Sequence, residues 1–272
     1  DCLSSFFVDE FWKMPRIDKI SFTEFLAKCK SLNISIIIPS RDGELEFFAK
    51  HKYSFLEAGI HVMVSDIDSV LNCIDKFKFS SLKGLNIIPS TLSIDDLEAT
   101  KYVVKERFGA GSKSIGVNLA KSQAKLHAES LKHPIFQPFI SGKELSVDAY
   151  ISSYDSIKGL VMRERVKIVE GESKVTTTII DEELEKRFAE IITSLKLYGH
   201  ILLQAIIDQD NNIHVIECNP RFGGASPVSI EAGLDSFYWL YLESLGISLA
   251  DYPYIKSKKT LTQIRYQEDI YI

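Results

Sequence analysis

The chain has 272 residues, of which 45% are hydrophobic, 11% aromatic and 25% charged. At about 150 residues per domain, this length corresponds to one lobed domain or two modest ones, and the composition excludes disorder over most of the chain. A net charge of −5 without a long basic run argues against a nucleic-acid-binding surface, and no stretch reaches the roughly 20 apolar residues of a membrane span. The cysteines are far apart and form no C-x-x-C pair, which predicts neither a zinc site nor a disulfide framework and favours a cytoplasmic protein.

The opening part of the chain alternates between strand and helix patterns. Residues 33–40 (NISIIIPS) form a β-branched run typical of a buried parallel strand, and residues 60–65 (IHVMVS) form a second such strand. A helix-length segment follows each run, and the second has apolar side chains at helical spacing, namely Val70, Leu71, Ile74 and Phe77. The order strand, helix, strand, helix predicts a right-handed parallel crossover unit.

After residue 86 the pattern favours antiparallel strands. Residues 102–108 (YVVKERF) run into AGSKSIGV, which predicts a hairpin with a small-residue loop, and residues 121–132 predict a helix. Alternation from LSVDAYI to KVTTTII predicts an antiparallel sheet with one exposed face. Asp181 is the expected cap of a helix over 181–195, and ILLQAIID and NIHVIECN follow as a hairpin. Two further helices are expected, near 228–232 and 237–245.

A lysine followed by small residues is the first group with chemical meaning. Lys105 lies on the predicted strand, and Gly109, Gly111 and Ser112 belong to the loop after it. Small residues let backbone N–H groups approach phosphate oxygens, and a lysine adds a point charge. The spacing matches neither G-x-x-x-x-G-K-[ST] nor G-x-G-x-x-G, so by itself a flexible hairpin tip is the simpler interpretation.

The segment IFQPFISGKELSV forms a second group. Gln137 is in an extended apolar stretch, and Glu144 follows it by seven positions, after Gly142. An extended backbone beside flat apolar walls recognises a purine base well, and a carboxylate suits a ribose diol. The alternative is a segment that crosses between domains with a solvated glutamate.

The third group gives the sharpest signal. Gln204 lies on one predicted strand, and Glu217, Asn219 and Arg221 occupy alternate positions at the end of the next. Period two puts Glu217 and Asn219 on one face, and a hairpin lets Gln204 join them, which gives three oxygen ligands that suit Mg²⁺. Arg221 adds a permanently charged fork suited to a phosphoryl group. The alternative, a strand end with a surface glutamate, fits less well because an acid within HVIECNP needs a compensating partner.

Taken in order, these features resemble the ATP-grasp superfamily. They are Asp75 and Lys76, Lys105 with its loop, QPFISGKELSVD, Gln204 and ECNPR. The nearest similarity is to the ATP-binding half of the carbamoyl-phosphate synthase large subunit and to related amino-acid ligases. The resemblance implies an α/β chain of ATP-grasp fold with α+β lobes. An apparently truncated, Rossmann-like pre-ATP-grasp domain would span 1–77, and the ATP-grasp domain 78–272, with a small lobe about 100–140 and a large lobe about 141–272.

The resemblance also implies ATP and Mg²⁺ (or Mn²⁺) as cofactors and assigns roles to residues. The implied phosphate contacts are Lys76 and Lys105, with Gly109, Gly111 and Ser112 closing over them. The implied adenosine contacts are Gln137, the backbones of Phe139 and Ile140, and Glu144 at the ribose. The implied metal ligands are Gln204, Glu217 and Asn219, and Arg221, Lys105 and Asn219 are the implied catalytic residues, with Arg221 neutralising the transferring phosphate. The match is looser for Arg165 and Lys174 as phosphate or substrate contacts.

The expected function is that of an ATP- and Mg²⁺-dependent ligase, which joins a small-molecule carboxylate to an amine or thiol through an acylphosphate. Glu106 departs from the family pattern and is expected to weaken the charge of the loop. It motivates an alternative, a nucleotide-binding subunit that works with a partner chain. Carbamoyl-phosphate synthesis is disfavoured because the chain contains one grasp unit. The histidines, Cys218 and Ser226 are expected to be structural, and a homodimer is the default assembly.

Overall fold

The computed structural model describes residues 3–109, 114–153, 156–169, 171–269 and 271, and its elements fall into three groups along the chain. The first group contains α1 (Phe22–Ser31), β1 (Ile36–Ile37), α2 (Asp42–Lys50), α3 (Lys52–Glu57), β2 (His61–Val62), α4 (Ile67–Ile74) and α5 (Lys76–Ser80). The second contains β3 (Tyr102–Glu106), β4 (Gly116–Leu119), α6 (Lys121–Ala128) and β5 (Pro134–Pro138). The third contains β6 (Lys143–Ile151), β7 (Ile157–Val169), β8 (Glu172–Ile179), α7 (Glu182–Thr193), β9 (Gly199–Ile207), β10 (Ile213–Asn219), α8 (Pro227–Glu231), α9 (Ser236–Ser244) and β11 (Thr262–Ile264).

The first group confirms the predicted strand–helix–strand order and its parallel pairing. Strands β1 and β2 pair in parallel, with Ile36 opposite His61, but each is only two residues long. The single helix expected between them is broken at His51, which lies outside the helical region with φ −105° and ψ 9°. The apolar pattern does not predict helix α1, although Ser21 and Glu24 form a capping box that starts it.

The second group is a three-stranded antiparallel sheet in the order β4-β3-β5. The predicted hairpin is therefore confirmed, since β3 pairs with β4 on one edge and with β5 on the other. On β3, Lys105 lies opposite the buried Ile135 of β5, and its own side chain is buried. This register places Lys105 near the end of the central strand of the sheet.

The third group is a six-stranded antiparallel sheet in the order β10-β9-β6-β7-β8-β11. The expectation of one exposed face is wrong for β6, because its residues are buried on both sides from Leu145 to Ile151. Leu145 and its alternate neighbours pack with Phe188 and Ile192 of α7, whereas Tyr150 packs with Trp239 of α9. Helices on both faces therefore enclose the centre of the sheet.

The helix and hairpin predicted before β10 are confirmed. The Asp181 side chain accepts a hydrogen bond from the Leu184 N–H and caps α7. Strands β9 and β10 pair antiparallel, and Asp208 accepts backbone N–H groups of Asp210 and Asn212 in the turn that joins them. Across the described ranges, no helix combines the length and apolar composition needed to cross a bilayer.

Candidate functional site

A cavity of about 380 Å³ lies between the three-stranded and the six-stranded sheet, and we call it the inter-sheet cavity. Its apolar wall includes Ile88, Val103, Val117, Phe139, Ile140, Ile206 and Ile216. Its polar side chains include Lys76, Lys105, Gln137, Glu144, Arg165, Gln204 and Glu217. Flat apolar walls with a few convergent polar groups are typical of a small-molecule site.

The β9–β10 hairpin brings the expected oxygen ligands together. Gln204 and Glu217 are direct cross-strand partners, and a register irregularity between Val215 and Glu217 precedes this pair. Asn219 is on the same face, and its Nδ2 donates to Glu217 Oε1 at 3.3 Å. One carboxylate and two amides therefore lie at one strand end, as the spacing predicts.

Two lysines approach this carboxylate from other elements. Lys105 on β3 is only 3% exposed, and burial lowers its pKa to about 8, although the charge of Glu217 opposes this shift. Lys76 at the start of α5 lies with its Nζ 3.9 Å from Glu217 Oε2 and donates to the Gly109 carbonyl at 2.5 Å. Both cations of the sequence prediction thus line the inter-sheet cavity.

A partly buried ion pair between Asp75 and Arg107, which sequence analysis does not reveal, holds the start of α5 in place. Asp75 caps α5 by accepting the N–H groups of Phe77 and Lys78, and it also binds Arg107 through two bonds of 2.7 and 2.6 Å. Burial would raise the pKa of Asp75, but the hydrogen bond and charge of Arg107 together with the N–H groups of Phe77 and Lys78 outweigh burial and hold the pKa below its usual value. The Lys76 N–H in turn donates to the Arg107 carbonyl at 3.2 Å. This pair joins the start of α5 to the end of β3.

The adenine contacts implied by the family resemblance lie at the cavity but are partly engaged. Gln137 is buried, and its Nε2 donates to the Ile88 carbonyl at 3.1 Å and to Ser90 Oγ at 2.9 Å. The Phe139 N–H donates to the Lys101 carbonyl at 2.9 Å, so that N–H is not available to a base. Ile140 lines the cavity directly after it.

Glu144 enters the cavity because the chain turns tightly just before it. A Cβ on Gly142 would collide with the Ile207 carbonyl, so only glycine allows this approach to β9. Glu144 then accepts from Arg165 Nη1 at 2.6 Å and from Gln204 Nε2 at 3.4 Å. The implied ribose ligand is therefore held in position by a cation and an amide.

A second, wider cavity of about 680 Å³ meets the first at Gly109, Arg165, Gln204 and Glu217. We call it the arginine cavity, because it is lined by Arg41, Arg163, Arg165, Arg221 and Arg265. Arg221 binds Asp42 of α2 through bonds of 2.6 and 2.7 Å, and both side chains are mostly buried. Sequence analysis places Arg221 near the metal ligands but gives no sign of Asp42, which is 179 residues away.

A fully buried carboxylate supports the wall between Arg163 and the loop after β10. Asp148 accepts from Arg163 Nε at 2.6 Å, from Ser226 Oγ at 2.6 Å and from Ser229 Oγ at 2.7 Å, and it also contacts His200. Burial would raise the pKa of Asp148, but the Arg163 charge and the His200 hydrogen bond hold it far below its usual value. Ser226 and His200 are both engaged in this network, and the interpretation of these two residues as structural stays a prediction.

The remaining predicted residues have other positions. Gly111 and Ser112 lie outside the described residues, whereas Gly109 lines both cavities. Glu106 accepts the backbone N–H groups of Lys132 and His133, at 2.6 and 3.0 Å, which gives this departure from the family pattern a structural role. Lys174 pairs with exposed Glu172. Cys218 is buried beside Cys73 in the core.

The side-chain oxygens at the end of β10 and on β9 suit a hard cation that also binds water or phosphate oxygens. In the described part of the chain, no cluster of three or more His, Cys, Asp or Glu side chains could hold a metal ion. Glu217, Gln204 and Asn219 offer one carboxylate and two amide oxygens, and Mg²⁺ completes such a set with water and phosphate oxygens. A metal here would therefore bind together with a phosphate ligand.

Comparison with known proteins agrees with this geometry. The model of the ATP-grasp domain matches residues 73–225, which is more than half of the chain, and that of the PylC-like N-terminal domain matches residues 4–63. No curated protein matches the chain by sequence.

Solved structures share the fold at low sequence identity. The biotin carboxylase domain of Hydrogenobacter thermophilus 2-oxoglutarate carboxylase, a dimer in complex with MgADP, ADP and bicarbonate, is 14% identical with a TM-score of 0.72 over 89% of this chain and 61% of its own. Biotin carboxylase of Campylobacter jejuni is 16% identical, with a TM-score of 0.72 over 89% of this chain and 61% of its own. L-amino acid ligase of Bacillus licheniformis is 19% identical, with a TM-score of 0.57 over 76% and 53%. This chain thus spans about three fifths of the length of the biotin carboxylases, and by its match over residues 73–225 it belongs to the ATP-grasp family.

Proposed function

We propose that this chain is an ATP- and Mg²⁺-dependent ligase that joins a carboxylate to an amine or thiol through an acylphosphate. One observation carries the proposal: Lys76, Lys105, Gln204 and Glu217 converge from four elements on one apolar-walled cavity. A cavity with this arrangement suits a nucleotide, with its base against the apolar wall and its phosphates at the two lysines. The 2-oxoglutarate carboxylase domain, whose structure is a complex with MgADP, supports the same assignment.

Each residue of the inter-sheet cavity has a role in this proposal. Ile140 and the apolar wall hold the base, and Glu144 holds the ribose. Lys76 and Lys105 bind the phosphates, while Glu217, with Gln204 and Asn219, holds magnesium. The ion supplies charge neutralisation on the phosphate oxygens when it is bound. Arg221 would exchange its Asp42 partner for a phosphoryl oxygen, which links phosphate binding to the first group of elements.

The proposed reaction has two displacements. A carboxylate oxygen of the substrate attacks the γ-phosphorus, and the bond from that phosphorus to the bridging oxygen breaks to release ADP. The amine or thiol then attacks the acyl carbon, phosphate leaves, and a proton is released. The side chains mainly position the groups and neutralise charge, and these are the main tasks in phosphoryl transfer.

The boundaries of the units are part of the proposal. We infer that residues 1–77 form the pre-ATP-grasp domain and residues 78–272 the ATP-grasp domain, and the family matches at 4–63 and 73–225 support this division. The finer likeness to carbamoyl-phosphate synthase concerns the proposed nucleotide site, whose residues Lys105, Gln204 and Glu217 line the inter-sheet cavity. This likeness assigns no substrate to the arginine cavity.

A thermal-shift titration tests the nucleotide site. Mg-ATP at about 100 times its dissociation constant should stabilise the wild type by about 2.7 kcal/mol. The Glu217→Ala variant should lose the part of this shift that depends on magnesium, whereas Glu190→Ala, which removes an exposed carboxylate on α7, should keep it. The absence of any shift in the wild type would overturn the proposal.

Turnover tests the chemistry. Hydroxylamine is a small amine that converts an acylphosphate to a stable hydroxamate, so ADP and hydroxamate should form together when a suitable carboxylate is added. Binding of Mg-ATP without ADP formation across a panel of carboxylates would favour the alternative, a nucleotide-binding subunit that works with a partner chain.

A further inference from the structure

The charge of the arginine cavity is not accounted for by the nucleotide. Among the residues that the structure describes, its lining includes five arginines but only three carboxylates, which are Asp42, Glu172 and Glu217. Arg221 is engaged by Asp42 and Arg165 by Glu144, each at 2.6 Å. Arg41 is largely exposed, and its Nη1 lies 3.9 Å from Glu44 Oε1. Arg163 and Arg265 are the two whose surroundings point to a ligand.

Arg163 is built into the wall with its orientation fixed. Its side chain is 2% exposed, and its Nε donates to Asp148, which also accepts two serine hydroxyls. Its Nη2 lies 3.4 Å from the point where a Cβ on Gly223 would stand. Since Gly223 is itself part of the cavity wall, the outer end of this guanidinium is presented to the cavity.

Arg265 approaches the same place from the other side. It directly follows β11, and its Nη2 donates to the Gly224 carbonyl. Its Nη1 lies 3.5 Å from the point where a Cβ on Gly224 would stand. Glu172 is 3.9 Å from its Nη1 but is itself 62% exposed, so it neutralises Arg265 only weakly. Arg163, Arg265 and the two glycines thus line one cavity, and the free space is at Gly224, because a Cβ on Gly223 would collide with Leu202 whereas a Cβ on Gly224 would have only Arg265 nearby.

We infer that the substrate phosphorylated by this enzyme carries a second anionic group, a carboxylate or a phosphate, which binds beside Gly224 in the part of the arginine cavity lined by Arg163 and Arg265. The inference rests on the proposed function, because the reacting carboxylate must lie near Glu217, where the two cavities meet. The arginine cavity leads from that point to Gly224. Guanidinium groups bind carboxylate and phosphate with paired N–H donors, so an acidic substrate such as a dicarboxylate matches both ends.

Matched pairs of acids that differ by one anionic group test the inference. Succinate and succinamate, glutamate and glutamine, and phosphoserine and serine are each assayed for ADP formation with Mg-ATP and hydroxylamine. The third pair separates a phosphate from a carboxylate as the second group. We expect the member with two anionic groups in at least one pair to have a kcat/KM about tenfold higher or more, the usual effect of one hydrogen bond to a charged group.

Arg265→Gln is the informative variant, because a change at Arg163 would leave Asp148 buried without its partner. It should raise KM for the acid with two anionic groups about tenfold and leave KM for the analogue that lacks the second anionic group unaffected, whereas Lys258→Gln, which removes an exposed charge on the same segment, should change neither. Equal kcat/KM within every pair, or an equal loss for both members in Arg265→Gln, would overturn the inference.

The two proposals can fail separately. If Mg-ATP shifts the melting temperature and no acid with two anionic groups binds or reacts, the nucleotide assignment stands and the second anionic site is wrong. If Mg-ATP itself produces no shift, the proposed function and this inference are both overturned.

Discussion

The two cavities that meet at Glu217 differ in the residues and the elements that line them. The inter-sheet cavity lies between two antiparallel sheets, and its wall is mostly apolar, with one charged or amide group from each of several strands. The arginine cavity is wider and more polar, and its wall combines strands β6 to β10 with residues 40–43, the loop after β10 and Arg265 after β11. The arginine cavity therefore depends on segments from near both ends of the described chain.

In the proposed function, this difference separates chemistry from selectivity. The residues proposed to bind the nucleotide and its magnesium lie between Lys76 and Arg221, within the family match. The arginine cavity adds Asp42 and Arg265, which lie outside that match. A change in the second cavity should therefore alter the choice of substrate while nucleotide binding persists, and each prediction below tests this separation.

The largest expected effect is on stability, at the support behind the arginine cavity. Asp148→Ala leaves Arg163 buried without its carboxylate, and breaking a buried pair costs about 3–5 kcal/mol. Denaturant unfolding of the variant and of Asp208→Ala, whose carboxylate serves a surface turn, measures the difference. If the two variants lose equal stability, Asp148 is not the support that the contacts indicate.

The next effect is on turnover, at the junction of the cavities. Glu217→Gln keeps the shape of the side chain but removes its charge, and we expect ADP formation to fall about 100-fold to 1,000-fold. The far-ultraviolet circular dichroism spectrum should stay that of the wild type. Turnover within a factor of about three of the wild type would remove Glu217 from the proposed metal site.

Alanine variants at Gly223 and Gly224 distinguish an effect on packing from an effect on substrate binding. A Cβ on Gly223 would meet Leu202 Cδ2 at 2.5 Å, so Gly223→Ala should cost about 1–3 kcal/mol of stability. A Cβ on Gly224 meets only Arg265, at 3.5 Å, so Gly224→Ala should change stability by less than about 0.5 kcal/mol and still fill the space beside Arg265. Mg-ATP should shift the melting temperature of both variants, and loss of that shift in Gly224→Ala would show that the cavities are not separable.

The smallest effect is a pH dependence confined to the inter-sheet cavity. Lys105 has its pKa lowered to about 8 by burial, and phosphate binding favours its charged form. ATP affinity should therefore be constant below pH 8 and fall by up to about tenfold per pH unit above it, as one proton is taken up on binding. Lys105→Arg stays charged throughout and should flatten this profile in calorimetric titrations. A flat wild-type profile would contradict the assignment of Lys105.

The sequence predicts that β9 and β10 form a hairpin that brings Gln204 near Glu217, but the register irregularity between Val215 and Glu217, which makes the two residues direct partners, has no signal in the sequence. The period of two then places Asn219 on the same face, and the structure agrees. The exposed face expected for β6 is wrong, because Tyr150 is covered by α9 and alternation cannot reveal which helices will pack on a sheet. The local sequence pattern predicts which consecutive strands pair, but it does not predict which helices cover the sheet.

The arginine cavity shows where such reasoning ends. The sequence places Arg221 next to the metal ligands, yet its bidentate partner Asp42 begins a helix 179 residues earlier. Arg265 follows a three-residue strand whose pairing with β8 has no spacing signal in the sequence. Asp148 reads as one polar residue in an alternating strand, and only the fold reveals that it is fully buried. These residues depend on contacts between segments that are far apart in the chain.

Strand β11 is a short edge strand, with Thr262, Gln263 and Ile264 paired to β8 on one side only. Two of these three side chains are exposed, so exchanges along this strand disturb little of the hydrophobic core. An altered or replaced edge strand would reposition or remove Arg265 and leave β9 and β10 intact. Under the proposed function, mutations in this edge strand would change which acids the arginine cavity accepts, while the proposed nucleotide site on β9 and β10 would stay the same.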